Sequence, residues 1–325
     1  MRRDLSLVVP VAQPYDGRPV KAAVDGASVS VDAAVARAAG MLRTCRAPAV
    51  VGLRALTIEA CREAVHLAEA VRGALFVDGC ARQAMPGHEP VIQTATLGHV
   101  LAAERVITVA VDEGHPVVQR LRERRVSIDA APSDLSGVVT LRTARKAFDG
   151  AARVAVLIGP RVDPRIASQW HRLAVGVQRQ VRVAVVPLPG ADAANARGAA
   201  EVVTWQTGVA PSACGVDFAD GAPRRGGSFD SRARRGAFDV VIDFEQGMAA
   251  AAEGTARIAI GSDDAGGQAA VRFSTPGLAL GVAARVMRFD GIVLWLSDDP
   301  ATAPPDPTVA LLKQLREAVA EGDGQ

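Results

Sequence analysis

Twice along the chain, a short Val- and Ala-rich run leads through a polar break into a segment whose apolar residues recur every three or four positions. A second short apolar run then follows. The first instance joins Ala49-Val50-Val51-Gly52-Leu53, a break at Arg54, a helix through Ala60, Ala64, Leu67, Ala68 and Val71 with Thr57 as its N-cap, and Ala74-Leu75-Phe76-Val77. The second joins Val154-Ala155-Val156-Leu157-Ile158-Gly159, a break at 160–164, a helix through Ile166, Trp170, Leu173 and Val177, and the run 181–186. Each reads as strand, loop, helix, strand. Two strands joined through a helix run parallel, and a parallel sheet is buried on both faces. The chain is 49% apolar but only 4% aromatic, so Val, Ala, Leu and Ile must fill such a core.

The expected fold is therefore α/β, two Rossmann-like β-loop-α-β layers with parallel sheets, related by internal duplication. Residues 1–44 read as N-terminal strands and a helix packing on the core, the helix starting at Asp32 as N-cap and ending near Thr44. Residues 45–150 form the expected first unit, with a short helix at 96–103, a strand at 105–111 and a helix at 116–125. Residues 151–325 form the second. In it the runs 199–203 and 238–244 are expected to continue the sheet, the segment 204–236 reads as one long aperiodic loop, and a C-terminal extension follows.

Charge excludes several partners. Lys and Arg total 37 against 35 for Asp and Glu, a net charge of +2, too balanced to imply nucleic acid or a membrane surface without a local patch. The apolar run 5–9 ends at Pro10, too short for a signal peptide, and no stretch approaches the roughly 18 to 20 apolar residues of a membrane span. The expected location is cytoplasmic.

Catalytic and cofactor signatures are missing as well. Cys45, Cys61, Cys80 and Cys214 form no CxxC pair, so they read as small buried residues kept reduced. No GxGxxG follows a strand, and neither GxxxxGK[ST] nor GxSxG occurs. His66, His88, His99, His115 and His171 form no HxH or HExxH; His88 and His115, in loops beside Pro, are the better functional candidates. Asp263-Asp264 and Asp298-Asp299 read as solvated turn residues.

One charged feature stands out. Arg224, Arg225, Arg232, Arg234 and Arg235 concentrate five cations within twelve residues of the aperiodic segment. They form either a solvated or subunit-contacting loop or a landing site for a polyanion. Nucleic acid is the weaker polyanion, because only Phe229 and Phe238 accompany the arginines.

Several segments resemble one family, the B subunit of molybdenum- or tungsten-dependent formylmethanofuran dehydrogenase, and its shortened relative in the bacterial formyltransferase/hydrolase complex. The specific matches are Thr204-Trp205-Gln206-Thr207-Gly208, similar to the family's TWQTG, and Val216-Asp217-Phe218 through Gly221 to Pro223-Arg224, similar to its VDFxxGxPR. Supporting matches are 56–65 with Val77-Asp78, 96–100, and Arg288-Phe289-Asp290-Gly291-Ile292. The resemblance covers roughly 45–320 and implies a truncated molybdopterin-oxidoreductase core.

The departures are as informative as the matches. The dehydrogenases carry an N-terminal cysteine cluster, and residues 1–44 contain no cysteine. Cys80-Ala81-Arg82 and Met85-Pro86-Gly87-His88 occupy the region of the family's metal-ligating segment with different spacing and neighbours, so no metal role carries over to Cys80. The resemblance then implies a non-catalytic structural subunit with no metal and no cofactor of its own. Its partners would be the other subunits of a formyltransferase/hydrolase complex in tetrahydromethanopterin-linked one-carbon metabolism. Those subunits transfer a formyl group to a methanofuran-type carrier and release formate. The arginines would meet a partner subunit or an anionic polyglutamate carrier arm; neither nucleic acid nor membrane is expected. Two other functions remain open, an active molybdopterin-dependent subunit and an unrelated Rossmann-type nucleotide-binding enzyme.

Overall fold

The computed structural model describes residues 13–77, 95–132, 135, 138–159, 162–188, 195–209, 215–244, 254–261, 268–276, 278–288 and 292–322. In chain order the first elements are β1 (Gln13–Pro14), β2 (Lys21–Val24), β3 (Ala27–Val29), α1 (Val31–Thr44), β4 (Pro48–Val51), α2 (Ile58–Ala70) and β5 (Ala74–Phe76). Then come α3 (Leu97–Leu101), β6 (Arg105–Val109), α4 (Pro116–Glu123), β7 (Ser127–Ala131), α5 (Val138–Lys146), β8 (Arg153–Ile158), α6 (Pro164–Val177) and β9 (Arg182–Pro187). After these lie α7 (Ala196–Thr207), β10 (Val216–Asp217), β11 (Arg224–Arg225), α8 (Phe229–Ala233), β12 (Val240–Asp243), β13 (Ala256–Gly261) and β14 (Val271–Ser274). The chain closes with β15 (Ala279–Leu280), β16 (Arg285–Met287), β17 (Val293–Trp295) and α9 (Pro307–Glu321).

The fold is α/β with parallel sheets, and both expected strand-helix-strand units form. Their strands pair parallel, Val50 opposite Leu75 in the first and Val156 opposite Val185 in the second. The units lie in different sheets. A nine-stranded sheet runs β11-β10-β5-β4-β12-β13-β14-β2-β3, parallel from β5 through β14 and antiparallel at both edges. A four-stranded sheet, β7-β6-β8-β9, is parallel throughout.

Sheet membership departs from the expected division at 150/151. β6 pairs with β8 along its whole length, so the expected boundary falls inside the four-stranded sheet. β12, expected to extend the second unit, instead lies between β4 and β13 of the large sheet. The run 199–203, read as a strand, is part of helix α7, with Ala199, Val202 and Val203 buried on one face. Short Val-rich runs satisfy both periods, and here burial at three- and four-residue spacing decides for helix.

Helix starts follow their caps. α1 begins two residues earlier than Asp32 suggests, because the Ser30 hydroxyl accepts from the Ala33 N–H at 3.2 Å. Asp32 then sits in the first turn, favourable to the helix dipole. Thr57 caps α2 as expected, its hydroxyl accepting from Ala60 N–H at 3.1 Å and donating to Asp306 at 2.7 Å. Asp306 caps α9 through Thr308 N–H, so one buried pair ties two helix N-termini together. Burial holds the Asp306 carboxyl above the usual carboxylate range, more than its hydrogen bonds lower it.

α1, α2, α7 and α9 share a core with one face of the large sheet, through Val50, Leu75, Ile242, Ile258 and Phe273. The opposite face carries Ala49, Val51, Ala74, Phe76 and Val241, on which α8 and Phe238 pack. In the small sheet α5 and α6 contribute to the core of one face and α3 and α4 to that of the other. No helix among the described residues is long and apolar enough to cross a membrane.

Candidate functional site

The expected loop 204–236 contains the end of α7, a β-hairpin and the short helix α8; residues 210–214 lie outside the described residues. Its two-residue strands are too brief to show an alternating pattern, which hid them in the sequence. β10 adds antiparallel to β5, Val216 opposite Leu75, and β11 adds antiparallel to β10 as the outermost strand. Gly215 is required at the entry: a Cβ there would overlap the Phe76 ring and come 2.7 Å from the Leu75 carbonyl oxygen. The hairpin turns at Gly221, with φ of 77°, after Asp217 Oδ1 accepts from Ala219 N–H at 3.0 Å.

Behind the hairpin sits a small aromatic core. Phe76, Phe229 and Phe238 form a trio with ring centroids 5.3, 5.8 and 5.6 Å apart. Arg232 closes it from the side. Its guanidinium lies 4.8 Å from the Phe238 ring centroid and donates to Asp217 Oδ2 at 2.7 Å. The glycines at 226 and 227 stitch the hairpin base to position 215 through backbone bonds of 2.7 and 3.1 Å.

The five arginines therefore divide. Arg232 is a partly buried strut, and Arg224 pairs with Asp220 at 2.7 Å on the surface, where such a bond contributes little. Arg225 is exposed on the edge strand, and Arg234 and Arg235 are exposed at the end of α8. The structure thus brings Arg224 and Arg225 together on β11, places Arg234 and Arg235 beside the Gly236 turn, and turns Arg232 inward. Cations on an outermost strand also discourage another strand from adding to it. The pairing of Arg232 with Asp217 joins positions fifteen residues apart, which no local sequence pattern signals.

The TWQTG-like segment ends helix α7. Thr207 turns its hydroxyl back to Val203 O at 2.6 Å, Gly208 takes a left-handed φ of 69°, and Gln206 contacts His66 Nε2 at 3.1 Å. Trp205 is left 72% exposed, unusual for a residue of its size. At the other end of α7, Asn195 is fully buried and acts as a junction. Its Nδ2 donates to Leu56 O at 2.7 Å, and its Oδ1 accepts from Met287 N–H at 2.8 Å. Both partners are distant in the chain, Leu56 by 139 residues and Met287 by 92, so no local pattern signals this role. Nearby, Glu59 takes both the backbone N–H and Nε of Arg285, at 2.8 and 2.6 Å, and Arg285 lies over the Trp295 ring. Ile292, Val293 and Trp295 are exposed on that hairpin.

The other candidates have mostly structural work. His115 caps α4, accepting from Val117 N–H at 3.2 Å, and His99 takes part in the capping box of α3. Asp299 anchors a turn through Ala301 N–H and Thr302. Cys80, His88, Cys214 and Asp263-Asp264 lie outside the described residues.

The two described thiols lie in surroundings that favour the protonated form. Burial, with help from the Asp239 charge, pushes the Cys45 thiol up to about 11. Burial, with Glu59 and Asp306, drives the Cys61 thiol well above its ordinary range. Both stay protonated near neutrality, whereas the thiolate is the ligand. Among the described residues no three His, Cys, Asp or Glu side chains converge where they could hold a metal ion.

No family model matches the sequence, and no curated protein matches it either. In structure the chain is similar to a chain in the crystal structure of the formyltransferase/hydrolase complex (FhcABCD) from Methylorubrum extorquens in complex with methylofuran. The TM-score is 0.74 at 19% sequence identity, covering 94% of this chain and 100% of that one. At that identity the likeness is one of fold.

Proposed function

We propose that this chain is a non-catalytic structural subunit of a formyltransferase/hydrolase complex in tetrahydromethanopterin-linked one-carbon metabolism, taking the part of the shortened B subunit in the cytoplasm. The observation that carries the reading is the fold likeness, which spans the full length of a chain from such a complex. The TWQTG- and VDF-like segments support it, since α7 and the β10–β11 hairpin that bear them are adjoining parts of the large-sheet unit. Partner subunits would carry out formyl transfer to a methanofuran-type carrier and release formate. This chain would hold them in register. Trp205 and the Ile292, Val293 and Trp295 patch are its best candidates for subunit contact, since exposed aromatic and aliphatic side chains are what interface centres use.

In this reading Arg225, Arg234 and Arg235 face a partner or the path of an anionic polyglutamate carrier arm, with Arg224 beside them, while Arg232 supports the hairpin. Attraction to such an arm is screened over about 8 Å at physiological salt, so it acts locally. The test is co-purification from the native host with mass spectrometry, followed by serine replacement of Arg225, Arg234 and Arg235 in the assembled complex. Recovery of formyltransferase and hydrolase subunits at a fixed ratio supports the reading. Molybdenum or tungsten near one per chain, or tight binding of a nicotinamide or adenine nucleotide to the chain, overturns it. Carrier guidance predicts a rate loss confined to low salt and long-tailed carriers; an equal loss with every carrier accompanied by dissociation assigns the arginines to assembly.

A further inference from the structure

The hairpin of β16 and β17 is a two-stranded antiparallel ribbon whose two outer edges are treated differently. Along such strands, residues whose main-chain groups bond the partner strand alternate with residues whose groups point away from it. Arg288 N–H donates to Ile292 O at 2.8 Å and Leu296 N–H to Ala284 O at 2.9 Å, so the even-numbered positions face inward. Arg285 and Met287 of β16, and Val293 and Trp295 of β17, therefore aim their N–H and C=O groups out of the ribbon. The β16 edge is closed: Glu59 Oε2 accepts from Arg285 N–H and Asn195 Oδ1 from Met287 N–H, each at 2.8 Å. The β17 edge has no counterpart, since neither Val293 nor Trp295 has a main-chain hydrogen bond to a described residue. Both are accessible, at 46 and 39% exposure, and Ile292 beside them is exposed as well.

An unpaired edge strand is a template for another strand, and proteins normally guard it with charge, proline or a bulge. β11, outermost in the large sheet, is guarded by Arg224 and Arg225. The run Ile292-Val293-Leu294-Trp295 carries neither charge nor proline, and β17 pairs with β16 one residue to one, without a bulge. It is also complementary to itself. A two-fold axis through Leu294 sets Val293 of one copy opposite Trp295 of the other, so that outward-facing positions meet outward-facing positions and each pair exchanges both of its bonds. On one face every Val293 then packs against a Trp295 ring, a favoured cross-strand pair, and on the other Leu294 meets Leu294. Charge does not oppose the approach, because β17 has no ionisable side chain and Arg285, which lies against Trp295, is paired with Glu59 at 2.6 Å.

We propose that the β17 edge is a docking site for a second copy of this chain, which adds its own β17 antiparallel and makes one four-stranded sheet across a two-fold axis. The proposal goes beyond the subunit reading and rests on the strand edge alone. β17 is three residues long, so the contact belongs with the interfaces below about 1,200 Å² that associate weakly. The experiment is sedimentation of the purified full chain from about 1 to 300 µM, with hydrogen exchange at the Val293 and Trp295 amides at both ends of that range. The expected result is a reversible monomer–dimer equilibrium with a Kd on the order of 10–100 µM, and slower exchange of both amides in the dimer. Val293→Lys puts a charge on the edge without touching a bond to β16, and should weaken dimerisation at least about tenfold while thermal unfolding of the monomer is unchanged. Val293→Pro removes only an outward N–H and should weaken it likewise. A chain that stays monomeric throughout, or that dimerises equally well in both variants, overturns the proposal. If the purified chain is monomeric but Val293→Lys abolishes recovery of other subunits from the native host, the edge belongs to a different protein: the second-copy proposal fails and the subunit reading stands.

Discussion

Gly198 and Asn195 should behave as one unit, to the point that a single substitution changes sign with its background. A Cβ at 198 would overlap the Asn195 amide, which its bonds to Leu56 O and Met287 N–H hold in place. Asn195→Ala removes both bonds and leaves two partly or fully buried groups unpaired, a loss of about 2–4 kcal/mol. Gly198→Ala alone forces the Asn195 side chain out and forfeits the same bonds. It gains about 0.5–1 kcal/mol from better helix propensity, so the net loss is about 1–3 kcal/mol. Once Asn195 is alanine the obstruction is gone, and Gly198→Ala should then stabilise by that same 0.5–1 kcal/mol. The assay is equilibrium urea unfolding of the four proteins by circular dichroism, at constant m-value. If Gly198→Ala costs the same in both backgrounds, the pinned-amide argument is wrong.

Other expectations concern charge, thiols and surface. Because the folded Asp306 carboxyl binds its proton more readily than the unfolded one, this group's stability contribution is fully present below its unfolded value near pH 4 and is lost as pH rises through the folded value. Asp306→Asn should therefore gain on wild type as pH rises from about 4 to 7, and urea midpoints that diverge in the opposite sense contradict this. Cys45 keeps its proton up to about 11 when folded, against 9.0 for an ordinary thiol, so stability should fall as pH rises from 9.0 towards 11. Both Cys45 and Cys61 should react with maleimide at pH 7 far more slowly than in urea; equal rates would mean that burial does not protect them. Arg232→Ser should cost about 1–2 kcal/mol through loss of the Asp217 bond and the Phe238 stacking, while Arg235→Ser stays within about 0.5 kcal/mol. Trp205→Ala should leave the chain's own stability within about 0.5 kcal/mol but weaken assembly by 2 kcal/mol or more, and unchanged co-purification would remove Trp205 from the interface.

What the sequence revealed was local. Thr57 as cap, the helix on which Ala60, Ala64 and Leu67 lie, and the strand pairs on either side of each such helix all follow from spacing within a dozen or so residues. What it concealed depended on distant partners. Nothing near Val240 tells that β12 lies beside β4, and nothing near Arg232 tells that Asp217 awaits it. The run 199–203 deceived because alanine and valine fill a strand and a helix face equally well until the neighbouring core is known.

The central pairing of β4 with β12 also sets an order of events during synthesis. Asp239, at the mouth of β12, receives the N–H groups of Arg46 and Ala47, the latter 192 residues earlier in the chain. The four-stranded sheet is encoded wholly between those two points. At 5–20 residues per second, a ribosome exposes β4 roughly ten to forty seconds before its neighbour β12 exists. Throughout that interval the smaller sheet can close on itself, while the apolar edge of β4 waits uncovered in the nascent chain. A chaperone holding that edge, or slow codons after residue 188 that let the inner sheet finish first, would raise the yield of folded protein; shortening the wait by circular permutation would relieve the need for either.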